Sequence, residues 1–116
     1  MSDATNCLFC RIVRREIPAA VVAESDTALA FRDVNPQAPL HALVVPKRHV
    51  ASLADAADDV ALVGELSRLA VQVAREAGCG DSGFRTVVNT GPDAGQTVFH
   101  LHLHVLAGRA LAWPPG

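Results

Sequence analysis

The chain has 116 residues, half of them hydrophobic and 19% charged, with a formal net charge of −2. That length supplies one core rather than two, and that composition excludes a disordered chain. A balance so close to neutral leaves no basic footprint for nucleic acid, and no apolar run reaches the ~20 residues of a membrane-spanning helix.

The N-terminal stretch Met1-Ser2-Asp3-Ala4-Thr5-Asn6 lacks the basic-then-apolar pattern of a signal peptide. A reducing, cytoplasmic setting is expected, with Cys7, Cys10 and Cys79 as thiols or metal ligands rather than disulfides. Residues 7–17 read as a short helix or turn stopped by Pro18. Val21-Val22-Ala23 and Ala28-Leu29-Ala30-Phe31 read as two strands joined through Glu24-Ser25-Asp26. Asn35-Pro36-Gln37-Ala38-Pro39 is a loop, and His41-Ala42-Leu43-Val44-Val45 is a third strand closed by Pro46.

The one long helix is expected between about residues 56 and 77. There Val60, Val63, Leu66, Leu69, Ala70 and Val73 recur at three- and four-residue steps. Asp58 and Asp59 suit its start, and Gly78 or Gly80 can end it. Phe84 to Val88 reads as a strand, and residues 89–95 form a loop. These elements predict an α+β domain over residues 1–116, with an antiparallel sheet of about five strands and a short N-terminal helix. A small sheet with one helix leaves an edge exposed, so a homodimer is expected.

His100-Leu101-His102-Leu103-His104-Val105-Leu106 holds three of the five histidines. It alternates imidazole with aliphatic, the period of a strand. On a strand the three rings share one face at roughly 7 Å intervals while the aliphatic residues enter the core. Imidazole titrates near neutrality and serves as nucleophile, general acid or metal ligand. Just before it, Gly95-Gln96-Thr97 offers backbone N–H groups and a hydroxyl suited to an anion.

Phosphoryl transfer would divide such rings between a nucleophile that forms a phosphoimidazole and a neighbour that neutralises charge or protonates the leaving group. A zinc hydrolase is the competing chemistry. The pair Cys7-Leu8-Phe9-Cys10 points instead to a closed structural zinc, with His49 and His100 as candidates to complete four ligands. A redox pair would show the same spacing.

The run Gln96 to Leu106 resembles the HφHφHφφ signature (φ being apolar) of the histidine triad superfamily. Arg15 to Ala19, Ala30 to Pro39, His41 to His49, Val87-Val88-Asn89 and Trp113-Pro114-Pro115-Gly116 resemble its HINT branch. The resemblance implies hydrolysis of purine nucleoside phosphoramidates to a nucleoside monophosphate, typically AMP, and an amine. It implies His102 as the nucleophile, His104 on the phosphate and leaving group, and His41 as support for both. Asn89, Gly95 and Thr97 map onto phosphate-site positions, with Gln96 and Val98 among the nucleotide-binding residues. Asp33 maps onto the ribose carboxylate, with Ile17, Phe31, Arg32 and Val34 around the base. It implies one structural, non-catalytic zinc per chain on Cys7, Cys10, His49 and His100, and a homodimer with joined sheets. Thr97, Arg32 and Phe99 stand where Ser, His and Tyr are frequent in that branch. A dinucleoside polyphosphate hydrolase, or a non-catalytic zinc-stabilised nucleotide-binding module, are the other readings of the same residues.

Overall fold

A computed structural model describes residues 4–116. Residues 1–3, part of the stretch read above as lacking a signal peptide, lie outside the described residues. Helix α1 (Leu8–Val13) is followed by β1 (Val21–Glu24), β2 (Ala28–Arg32) and β3 (Leu40–Pro46). Then come α2 (Val60–Glu76), β4 (Phe84–Val87) and β5 (Leu103–Ala107). The strands form one antiparallel sheet in the order β1-β2-β3-β5-β4. The α+β expectation with five strands is met.

Alternation along the strands sorts the sheet into two faces. Ala28 and Ala30 of β2, Ala42 and Val44 of β3, and Leu103 and Val105 of β5 pack beneath α2 with its Leu66, Leu69 and Val73. Leu29, Phe31, Leu43 and Val45 point the other way and meet Phe9 and Ile12 of α1. Alanines dominate the α2 side of β2, so the helix lies close to the sheet. β3 is the central strand and all seven of its residues are buried.

α2 begins later than its periodicity predicts. Asp59 caps it, its carboxylate accepting from the Leu62 N–H at 3.1 Å, and residues 54–56 form a separate 3₁₀ turn. Val60, expected in the apolar stripe, therefore sits in the first turn and is 76% exposed. The helix ends as expected at Gly78, which takes φ +79°. α1 ends before Pro18 is reached: Arg15 turns to φ +63° and the Glu16 N–H closes back on the Arg11 carbonyl.

The histidine strand is shorter than the alternation predicts, since β5 starts at Leu103 and only His104 of the three lies on it. Ahead of it the chain bonds outside the ladder. The Leu101 N–H goes to the Val50 carbonyl at 2.7 Å, and the His100 ring takes the Pro46 carbonyl at 2.8 Å. The two-residue alternation nonetheless survives. Leu101 is buried with the α2-side cluster, while His100 and His102 both pack edge-on to Phe9. Among the described residues, no helix is long and apolar enough to cross a membrane.

Candidate functional site

A cleft of about 570 Å³ opens on the α1 side of the sheet, a volume in the range of small-molecule sites. Leu8, Phe9 and Ile12 of α1 form one wall, and Ile17 to Ala20 another. Phe31, Arg32, Asp33 and Val34 line it from the end of β2. Thr97, Val98, His102 and His104 close it. Of the residues expected around a nucleotide, Asn89, Gly95 and Gln96 do not line this cleft. Gln96 is buried and its amide is fully engaged: it donates to the Val98 carbonyl and to the Ala51 carbonyl, 45 residues away, and accepts the Gly91 N–H.

Three histidines acquire fixed proton positions from their partners. His102 Nδ1 lies 2.7 Å from the His100 carbonyl, which can only accept. Nδ1 therefore carries the proton, and Nε2 is left as a free lone pair on a ring that lines the cleft. A neutral Nε2 is the form a nucleophile requires.

His41 and His104 meet by register. His41 pairs with Leu106 and Leu43 with His104, so the two histidines are diagonal neighbours on one face of adjacent strands. The Gln37 N–H donates to His41 Nδ1 at 3.0 Å. His41 Nε2 must then bear the proton, and it donates to His104 Nδ1 at 2.9 Å, with Asp33 Oδ2 at 3.3 Å as a second acceptor. His104 in turn holds its proton on Nε2. Burial pushes the His104 ring down to about 4, helped by His102 and His41 and opposed by Asp33; burial also lowers His41, again against Asp33. The resting pair is neutral, with its N–H bonds all pointing from Gln37 towards the cleft.

That polarity separates two clusters of metal-ligand type. Asp33, His41 and His104 lie close enough to share an ion, yet the Gln37 N–H on Nδ1 keeps a proton on the His41 nitrogen that would have to ligate. Cys7, Cys10, His49 and His100 form the second cluster, with all four ligand atoms within 4.8 Å of one another. Here the proton sits on the outward nitrogen: His100 Nε2–H donates to the Pro46 carbonyl. Its Nδ1 lone pair faces Cys7 Sγ at 3.3 Å and Cys10 Sγ at 3.4 Å, and His49 Nδ1 lies 3.2 Å from Cys10 Sγ. Those separations match the roughly 3.5 Å edge of a tetrahedron with zinc-type bond lengths. Burial, together with Cys7, pushes the Cys10 thiol up to about 11; a bound cation would instead favour both thiolates. This cluster can hold a metal ion.

The sequence did not single out α1 as a cleft wall, although Ile12 lies four residues after Leu8 and three after Phe9, the spacings that share one helix face. Nor did it point to Gln37, which acts through a backbone N–H, or to Pro46, which acts through a carbonyl. Cys79 is partly buried and packs against the α2-side cluster just past the helix end.

The HIT domain model matches residues 14–111. HIT-like proteins of Synechococcus elongatus and of Synechocystis are 55% and 54% identical to this chain, covering 100% and 97% of it and 100% and 99% of the relatives. The crystal structure of a HIT family hydrolase from Legionella pneumophila superposes with TM-score 0.92 at 47% identity, over 96% of this chain and all of that one. A histidine triad protein from Clostridium difficile superposes with TM-score 0.90 at 45% identity, over 97% of both chains. With the histidine array, the cleft and these likenesses together, the chain belongs to the HIT domain family.

Proposed function

We propose that the protein is a hydrolase of purine nucleoside phosphoramidates, releasing a nucleoside monophosphate and an amine through a covalent nucleotidyl-His102. The observation that carries this is the opposed protonation of two adjacent rings. His102 presents a bare Nε2 and His104 an Nε2–H in the same cleft, their centroids 5.2 Å apart. A nucleophile beside a proton donor is what the cleavage of a phosphorus–nitrogen bond demands, because an amine leaves poorly without a proton.

In the first step His102 Nε2 bonds to phosphorus as the P–N bond breaks. The electron pair goes to the leaving nitrogen, which takes the Nε2 proton of His104, and the negative charge left on that ring is held by the His41 Nε2–H on its Nδ1. Each donor along Gln37–His41–His104 polarises the next, so the His104 Nε2–H is made more acidic than in an isolated ring. In the second step water attacks phosphorus, its proton returns to His104 Nε2, and the bond to His102 Nε2 breaks. The nucleoside would lie against Ile17, Phe31, Arg32 and Val34, with Asp33 on the ribose hydroxyls. Thr97, Val98, Asn89 and Gly95 would serve the phosphate, with Gln96 holding their loop in shape.

Cys7, Cys10, His49 and His100 would hold one zinc per chain, with no part in the chemistry. Bound there, zinc would tie the six-residue α1 to the segment that carries His102. β4 is an edge strand, which supports a homodimer with joined sheets. In a reducing, cytoplasmic setting Cys7, Cys10 and Cys79 would stay thiols or metal ligands.

The test is AMP release from an adenosine 5′-phosphoramidate by the wild-type protein and by His102→Ala. Wild-type turnover in the variant, or no nucleotidyl adduct by mass spectrometry in the parent, would overturn the assignment. Faster turnover of diadenosine polyphosphates than of AMP-amines would move the protein to that other activity.

A further inference from the structure

The proton chain that ends on His104 begins outside the cleft, at the exposed Gln37 in the loop between β2 and β3. A backbone N–H on an exposed loop can orient a buried ring only if something holds the loop. Arg109, just past the end of β5, does so. Its Nη2 and Nε both donate to the Gln37 carbonyl, at 2.9 and 3.3 Å. Beside it Gly108, at φ +94°, lets the chain pass against Pro39 of the same loop, where a Cβ would come within 2.8 Å of the proline side chain. Two consecutive residues after β5 thus grip the loop on either side of Ala38.

We propose that Arg109 is a positioning residue for protonation of the leaving group: by fixing Gln37 it holds the proton chain in the one polarity that gives His104 an Nε2–H. Without the Gln37 N–H, only Asp33 Oδ2, at 3.3 Å, still favours a proton on His41 Nε2, and the form with the proton on Nδ1 and a lone pair at Nε2 gains population. His104 Nδ1 would then become the donor in the 2.9 Å bond between the rings. His104 Nε2 would lose its proton, and the acid would become a second base. The loss would fall on reactions whose leaving group needs a proton, and would spare those whose leaving group departs as a stable anion. Arg109 is absent from the cleft lining, so its effect passes through Gln37 and His41.

This inference rests on the phosphoramidase reading, and two substrates separate the two. One is the adenosine 5′-phosphoramidate of an alkylamine, the other adenosine 5′-(p-nitrophenyl phosphate), whose phenolate leaves unprotonated. Arg109→Ala is expected to lower kcat/KM roughly 10-fold on the amine, the scale of one lost hydrogen bond, and less than about twofold on the ester. Arg109→Lys, which keeps one donor, should recover part of the amine activity. The ratio of the two substrates does not depend on how much of the variant is folded. In the nitrogen-15 spectrum, the His41 proton should sit on Nε2 in the parent and spread to Nδ1 in Arg109→Ala. An equal loss on both substrates, or a His41 proton that stays on Nε2 in the variant, overturns the role of Arg109 and leaves the activity standing. A parent protein that turns over neither substrate overturns the phosphoramidase reading and this inference with it.

Discussion

The His100 carbonyl accepts the His102 Nδ1–H at 2.7 Å, while the ring of His100 faces Cys7 and Cys10. One residue therefore serves two centres, its side chain the thiol cluster and its backbone the orientation of the neighbouring histidine. Loosening the cluster should disturb the cleft in two ways, through His102 and through α1.

Replacing Cys7 and Cys10 by Ser is expected to abolish binding of the proposed zinc. A six-residue helix has little stability of its own, and metal binding to the folded state adds directly to folding free energy. The double variant should melt lower than the parent in a calorimetric scan. It should also bind AMP several-fold more weakly by titration, because Leu8, Phe9 and Ile12 form a wall of the cleft. Metal content equal to the parent's would show that these residues do not hold the ion.

His41→Ala leaves His104 Nδ1 without its donor. On amine substrates kcat is expected to fall about 10- to 100-fold, with KM nearly unchanged, since His41 is absent from the cleft lining. Steady-state kinetics would settle the split, and a change confined to KM would contradict the proton chain.

Stability should decline as pH falls from about 6.5 to about 4. Burial, with His102 and His41 close by, holds the His104 ring well below its ordinary value of 6.5, at about 4. Between those values the unfolded chain binds a proton that the folded ring refuses, so acid favours unfolding. At most about 3 kcal/mol is at stake for this ring, fully present above pH 6.5. His104→Asn should flatten that part of a stability-against-pH curve measured by urea denaturation.

Gly108→Ala forces a side chain into left-handed backbone and against Pro39. A cost of about 1–3 kcal/mol is expected from the backbone strain, read as a lower Tm. The same variant should slow amine substrates, because the displaced loop carries Gln37.

Local signals were legible where the deciding physics is local. Two-residue alternation assigned Leu101, Leu103 and Val105 to the core even where the segment leaves the sheet. Cys7-x-x-Cys10 foretold a thiol pair, and Gly78 ended α2 where its sequence said it would. Val60 misled because an N-cap three-dimensional contact, from Asp59 to the Leu62 N–H, sets where the helix begins. β5 was drawn too long because Pro46 and Val50, far along the chain, draw His100 and Leu101 out of the ladder. The place of Gln96 beside the histidines was legible, but not the partners of its amide, because one of them, the Ala51 carbonyl, is brought to it from 45 residues away.

The sequence by itself determined that three imidazoles lie on one side of an extended segment and that their aliphatic neighbours are buried. That follows from backbone geometry alone. Only the tertiary structure decided what each imidazole is: a ring nitrogen's role depends on what its other nitrogen bonds. For two of the three those partners come from remote chain, 54 residues away for His100 with Pro46 and 63 for His104 with His41, while His102 is set by the His100 carbonyl two residues before it. Folding brings a carbonyl to one ring and an N–H to another, and so makes a ligand-type nitrogen, a bare nucleophile-type nitrogen and a proton donor from the same side chain.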